Sequence, residues 1–127
     1  MTMKLAQIIL YSQDQHSLAL FLSELMDIEL EKLSEGIRLK SDEQSFLIVG
    51  PTPKSAGPSD LMLDFELEGK QDLEDFWHKF QFLKYRFELP DSQGGTMTHT
   101  DNMSFFVLQD PDGRKWKFSF RYPCDDA

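Results

Sequence analysis

At 127 residues with 40% hydrophobic and 13% aromatic content, the chain has the size of one domain and buries about 70% of its unfolded surface on folding. Thirteen basic residues against 22 acidic ones give a net charge of -9, which repels phosphate backbones and argues against nucleic acid as the main partner. No apolar run approaches the ~20 residues needed to cross a bilayer, no secretory signal pattern is visible, and the single cysteine, Cys124, supplies neither an intrachain disulfide nor a thiolate metal cage, so a cytoplasmic protein with no membrane partner is expected.

Residues 4–12 (KLAQIILYS) read as a strand, with Ala6, Ile8 and Leu10 on one face and Gln7, Ile9 and Tyr11 on the other. Both faces are largely apolar, so cover is expected on each side. Asp14 then offers a carboxylate to the free N–H groups of a helix whose stripe, Leu18, Phe21, Leu22 and Leu25, runs through Met26. Three short strands are expected at residues 28–33, 37–40 and 45–49, separated by the turn-like Ser34-Glu35-Gly36 and Ser41-Asp42-Glu43. Residues 51–59 hold three prolines and one glycine, a composition that interrupts regular structure and divides the chain near its middle.

In the second half, residues 61–68 (LMLDFELE) alternate as a half-buried strand, with Leu61, Leu63, Phe65 and Leu67 opposite Met62, Asp64, Glu66 and Glu68. Asp72 is expected to cap a second helix, with Leu73, Phe76, Trp77, Phe80 and the stem of Lys84 along its buried stripe. Residues 85–89 suggest a short strand ahead of the Gly94-Gly95 loop. A hairpin over residues 105–120 then turns at Asp110-Pro111-Asp112-Gly113, where Pro111 presets its own φ and Gly113 accepts a positive one. In its second strand Trp116, Phe118 and Phe120 point one way and Lys115, Lys117 and Ser119 the other. Each half therefore reads β, α, β, β, β, a structural repeat. The two modules, about 1–50 and 60–122, are expected to form one domain joined by the linker 51–59.

These features resemble the vicinal oxygen chelate superfamily, which includes glyoxalase I, bleomycin-resistance and fosfomycin-resistance proteins and extradiol dioxygenases. The resemblance covers nearly the whole chain. It rests on the opening strand with Ser12-Gln13-Asp14, the helical Ser17-Leu18-Ala19-Leu20-Phe21, the mid-chain Phe65-Glu66-Leu67 and the Asp110-Pro111-Asp112-Gly113 turn. Met26 stands where the family often has a glycine. The resemblance implies an α+β fold: two βαβββ modules forming a curved, cup-shaped mixed sheet with the helices outside, in a homodimer. It also implies that the ligands of metal-dependent members, a histidine, a histidine or glutamate, and a glutamate, fall on Gln7, Met62 and Lys117. An amide, a thioether and an ammonium are poor donors for a divalent ion, and Lys117 adds a positive charge where the ion would sit. No metal and no cofactor are expected.

The residues expected to line the cup are Gln7, Tyr11, Met62, Asp64, Glu66, Lys115, Lys117 and Ser119, a mixture suited to a pocket with a few polar anchors. Lys117 opposite Asp64 or Glu66 either orients an anionic or hydroxylated ligand or fills a closed cup as a structural ion pair. A role for Lys117 as base or Schiff-base nucleophile requires a neutral amine, and adjacent carboxylates favour the charged form. His16 and His78 lie on the two helices and His99 in the Thr98-His99-Thr100-Asp101 loop, positions that read as exposed rather than as one metal site. No nucleophile motif, phosphate loop or dinucleotide fingerprint is present. The expected function is metal-independent binding of a small molecule, for sequestration or delivery. The alternatives are a lyase, isomerase or dioxygenase with relocated ligands, for example Asp64, Glu66 and His99, and a structural or regulatory module with a plugged cup.

Overall fold

The computed structural model describes residues 5–50, 62–90 and 95–123, in two compact units, Met1–Gly57 and Pro58–Ala127. The expected linker at 51–59, Leu61, Gly94 and Cys124 lie outside the described residues.

In the first unit the chain runs through β1 (Ile8–Tyr11), α1 (Gln15–Met26), β2 (Leu30–Lys32), β3 (Ile37–Lys40) and β4 (Ser45–Val49). The sheet order is β1-β4-β3-β2, with β1 parallel to β4 and the other pairs antiparallel. Asp14 caps α1 as its sequence position implies, its carboxylate accepting the Ser17 N–H at 3.1 Å. The helix ends where Asp27 turns left-handed at φ 55°. Its buried residues, Leu18, Ala19, Phe21, Leu22 and Leu25, cover one face of the sheet, where Leu10, Ile37, Leu39, Phe46 and Ile48 are buried. The other face of β1 is not covered as expected: Ile9 is 48% exposed and Tyr11 45%. One helix layer shields only one side of a sheet.

The second unit repeats the plan with β5 (Leu63–Glu66), α2 (Lys70–Arg86), β6 (Thr98–His99), β7 (Met103–Gln109) and β8 (Lys115–Arg121). Its sheet order is β5-β8-β7-β6, with β5 parallel to β8. Leu73, Phe80 and Leu83 of α2 are buried with Phe106, Leu108, Trp116 and Phe118 of the hairpin. The rings interlock: Phe76 lies 5.0 Å from Phe118, and Phe106 5.6 Å from Phe118. The hairpin turns as expected, with Gly113 at φ 83°.

Three features of this unit differ from the sequence expectation. Gly69, with no side-chain bond, is the N-cap of α2, and Asp72 is the third helical residue. Residues 85–89 are not a strand: the helix continues to Arg86, the Phe87 and Leu89 amides donate to the Leu83 and Lys84 carbonyls, and Glu88 turns left-handed at φ 55°. The missing strand is instead β6, in the stretch read as a loop. Gly95 fits ahead of it at φ 99°, where a Cβ would come within 2.8 Å of the Phe80 ring, and its carbonyl accepts the Trp77 indole N–H and the Gln81 amide. β1, β2 and β5 are shorter than the stretches expected at 4–12, 28–33 and 61–68. No helix among the described residues is long and apolar enough to cross a membrane.

Candidate functional site

The second unit's sheet has a helix-covered face and an open one, and alternation along β8 decides which side chains reach each. Trp116 and Phe118 are buried beneath α2, so Lys115, Lys117, Ser119 and Arg121 project to the opposite face. The parallel register sets Asp64 beside Lys117 and Glu66 beside Ser119.

Asp64 is the hub of this face. Its Oδ1 accepts the Ser119 hydroxyl at 2.9 Å, while Oδ2 lies 3.7 Å from Lys117 Nζ and 3.8 Å from Arg121 Nη2. Lys117 Nζ also stands 4.6 Å from the centroid of Phe105 on β7, a cation–π arrangement. The Lys117 side chain is only 20% exposed, against 34% for Asp64 and 49% for Arg121. Backbone pairing places Val107 beside Lys117 and Phe105 beside Ser119, so half-buried apolar side chains floor the charged group.

Of the eight candidate residues, the structure brings Asp64, Lys117 and Ser119 into direct contact. Glu66 and Lys115 share their face and are exposed. Met62, 45% exposed, lies just ahead of β5. Gln7 and Tyr11 belong to the first unit, exposed before and at the end of β1. Sequence reasoning missed Arg121, whose spacing of four from Lys117 along the strand carried the signal, because the strand was expected to end at residue 120. It also missed Phe105, which was placed only as the start of the hairpin.

His99 is exposed, as its sequence position implies, but it is not in a loop. It lies on β6, its Nδ1 2.7 Å from the Ser104 hydroxyl, which is in turn 2.5 Å from the Tyr122 hydroxyl. It is therefore tied to Ser104, and Asp64, Glu66 and His99 do not assemble into a ligand cluster among the described residues. The resemblance would place a metal on Gln7, Met62 and Lys117, and these do not fit one: the third is an ammonium already directed at a carboxylate.

Two βαβββ units, each with its first and last strands parallel and its helix on one sheet face, make an α+β fold of the glyoxalase-like type. Solved structures share it over most of the chain. A lactoylglutathione lyase from Agrobacterium tumefaciens matches with a TM-score of 0.68 at 16% identity, covering 92% of each chain. A genomically encoded fosfomycin resistance protein from Listeria monocytogenes matches at 0.75 and 12% identity, covering 94% of each. A glyoxalase/bleomycin resistance protein from Albidiferax ferrireducens matches at 0.71 and 16% identity, covering 93% of this chain and 98% of its own. At these identities the likeness establishes the fold, and chemistry has to be argued from the site. No protein-family model and no curated protein matches the chain.

Proposed function

We propose that this chain is a metal-independent small-molecule-binding protein, acting by sequestration or delivery, and that the open face of the β5–β8 sheet is its ligand surface. The observation that carries this reading is Lys117. At the position where the resemblance places a metal-binding glutamate, the chain has a largely buried ammonium, paired with Asp64 and resting on Phe105. A cation fixed there opposes a divalent ion and at the same time offers a hydrogen-bond donor to a ligand. The three relatives described above, two of them resistance proteins by name, add support for a role that involves small molecules. The reading includes a cytoplasmic homodimer, whose association state sedimentation velocity measures directly.

Metal analysis of the purified protein tests the first half of the reading. Less than about a tenth of an equivalent of nickel, zinc, manganese or iron is expected, and near-stoichiometric ion overturns it. Thermal-shift screening against metabolites and antibiotics tests the second half, because a ligand selective for the folded state raises its apparent stability. At least one stabilising compound is expected, with its effect abolished in Lys117→Met. A stabilisation that survives this substitution unchanged removes the β8 face from the binding surface.

A further inference from the structure

Resting on the binding role proposed for the β5–β8 face, we infer that its ligand carries a carboxylate or phosphate-type anion, gripped between Lys117 and Arg121 with its apolar body against Phe105 and Val107. Both cations point at one oxygen of Asp64, yet neither completes a hydrogen bond to it. At 3.7 and 3.8 Å they lie outside the usual range of about 2.7–3.2 Å. The attraction holds the two head groups in place and leaves their N–H donors unspent. The other Asp64 oxygen accepts the Ser119 hydroxyl, which fixes the carboxylate between the strands.

Among the described residues no second carboxylate completes the pairing. Glu66 shares the face but stands beside Ser119 in register, and no ion pair joins it to Lys117 or Arg121 among the described residues. An ammonium and a planar guanidinium side by side match two oxygens of one carboxylate or phosphate group.

The test uses the full-length protein, isotopically labelled, with backbone amides followed by NMR during titration with benzoate, phenylphosphonate and neutral benzamide. Benzoate or phenylphosphonate is expected to shift the amides of Asp64, Lys117, Ser119 and Arg121, with the tighter of the two identifying which anion the site prefers. Benzamide is expected to bind at least about tenfold more weakly, as the loss of charge-assisted bonds requires. Lys117→Met and the more exposed Arg121→Met should each weaken the preferred anion about tenfold, while Asp64→Asn should tighten it by removing the competing carboxylate. Unchanged amides of α2, which covers the other face of the same sheet, report that each variant is folded. Equal binding of benzoate and benzamide at the same amides overturns the anion inference and leaves the ligand surface standing. Weaker anion binding in Asp64→Asn also overturns it. Shifts elsewhere, or none, overturn it as well, and the broader reading then rests on the thermal-shift screen alone.

Discussion

Asp110 shows how much one side chain decides in this fold. It is fully buried, and its carboxylate accepts hydrogen bonds from the Asp112 and Arg114 amides at 2.9 and 3.0 Å, from Arg114 Nη1 at 2.8 Å and from the Trp116 indole at 2.9 Å. The turn, the hairpin and the largest core side chain are thereby joined at one point. Asp110→Ala removes the buried acceptor shared by the Trp116 N–H and the Arg114 guanidinium, whose side chain is only 15% exposed, so a loss of about 3–5 kcal/mol in urea denaturation is expected. Asp110→Asn keeps an acceptor for the turn amides but turns an NH2 toward two other donors, and a loss of about 2 kcal/mol is expected. The sequence makes Asp110 legible as the start of a turn. Its bonds to Trp116 and Arg114 were not legible, because they depend on the hairpin folding back and burying all three together. The same limit applies at the binding face. Asp64 beside Lys117 follows from alternation once the strands are paired, whereas convergence of Arg121 on the same carboxylate needs the strand's true end.

Among the elements, the two helices differ in how openly their ends are marked. At α1 the signal is chemical: Asp14 supplies the acceptor, and Asp14→Ala should cost about 1 kcal/mol in chemical denaturation by releasing the Ser17 N–H. At α2 the signals mislead. Gly69 begins the helix with no side-chain bond, so the nearby carboxylate at Asp72 draws attention three residues late. At the other end, Tyr85 and Phe87 have the aromatic character of a strand, but they continue a helical turn that closes through the Leu89 amide. Tertiary and backbone closure outweigh propensity there. Glu88 takes the left-handed conformation that closes this end, at a steric cost glycine does not bear. Glu88→Gly is therefore expected to raise stability by about 0.5–1 kcal/mol, seen as a higher denaturation midpoint with an unchanged slope. A lower midpoint would mean that the glutamate side chain contributes more than its backbone strain removes.

Across the whole molecule, the repeated element order was legible because alternation, helical stripes and turn residues are local signals. Strand order was not, since pairing β1 with β4 and β5 with β8 joins segments far apart in sequence. This topology predicts how protection from hydrogen exchange is distributed. In each sheet two strands have neighbours on both sides, β4 and β3 in the first unit, β8 and β7 in the second, while β2 and β6 are edges of three and two residues. The β7–β8 ladder pairs seven residues on each strand over the aromatic packing of Phe76, Phe106 and Phe118. The first unit's longest strand, β4, has five residues. Local opening requires breaking the ladder and exposing the core beneath it. The slowest amides should therefore belong to β7 and β8, those of β3 and β4 should follow, and those of β2 and β6 should exchange at least about a hundredfold faster than β8. Exchange measured by NMR at constant pH decides the order. If β6 were as protected as β8, its two-residue pairing would not be the edge of the sheet, and the open face that carries Lys117 would be bounded by something other than this strand order.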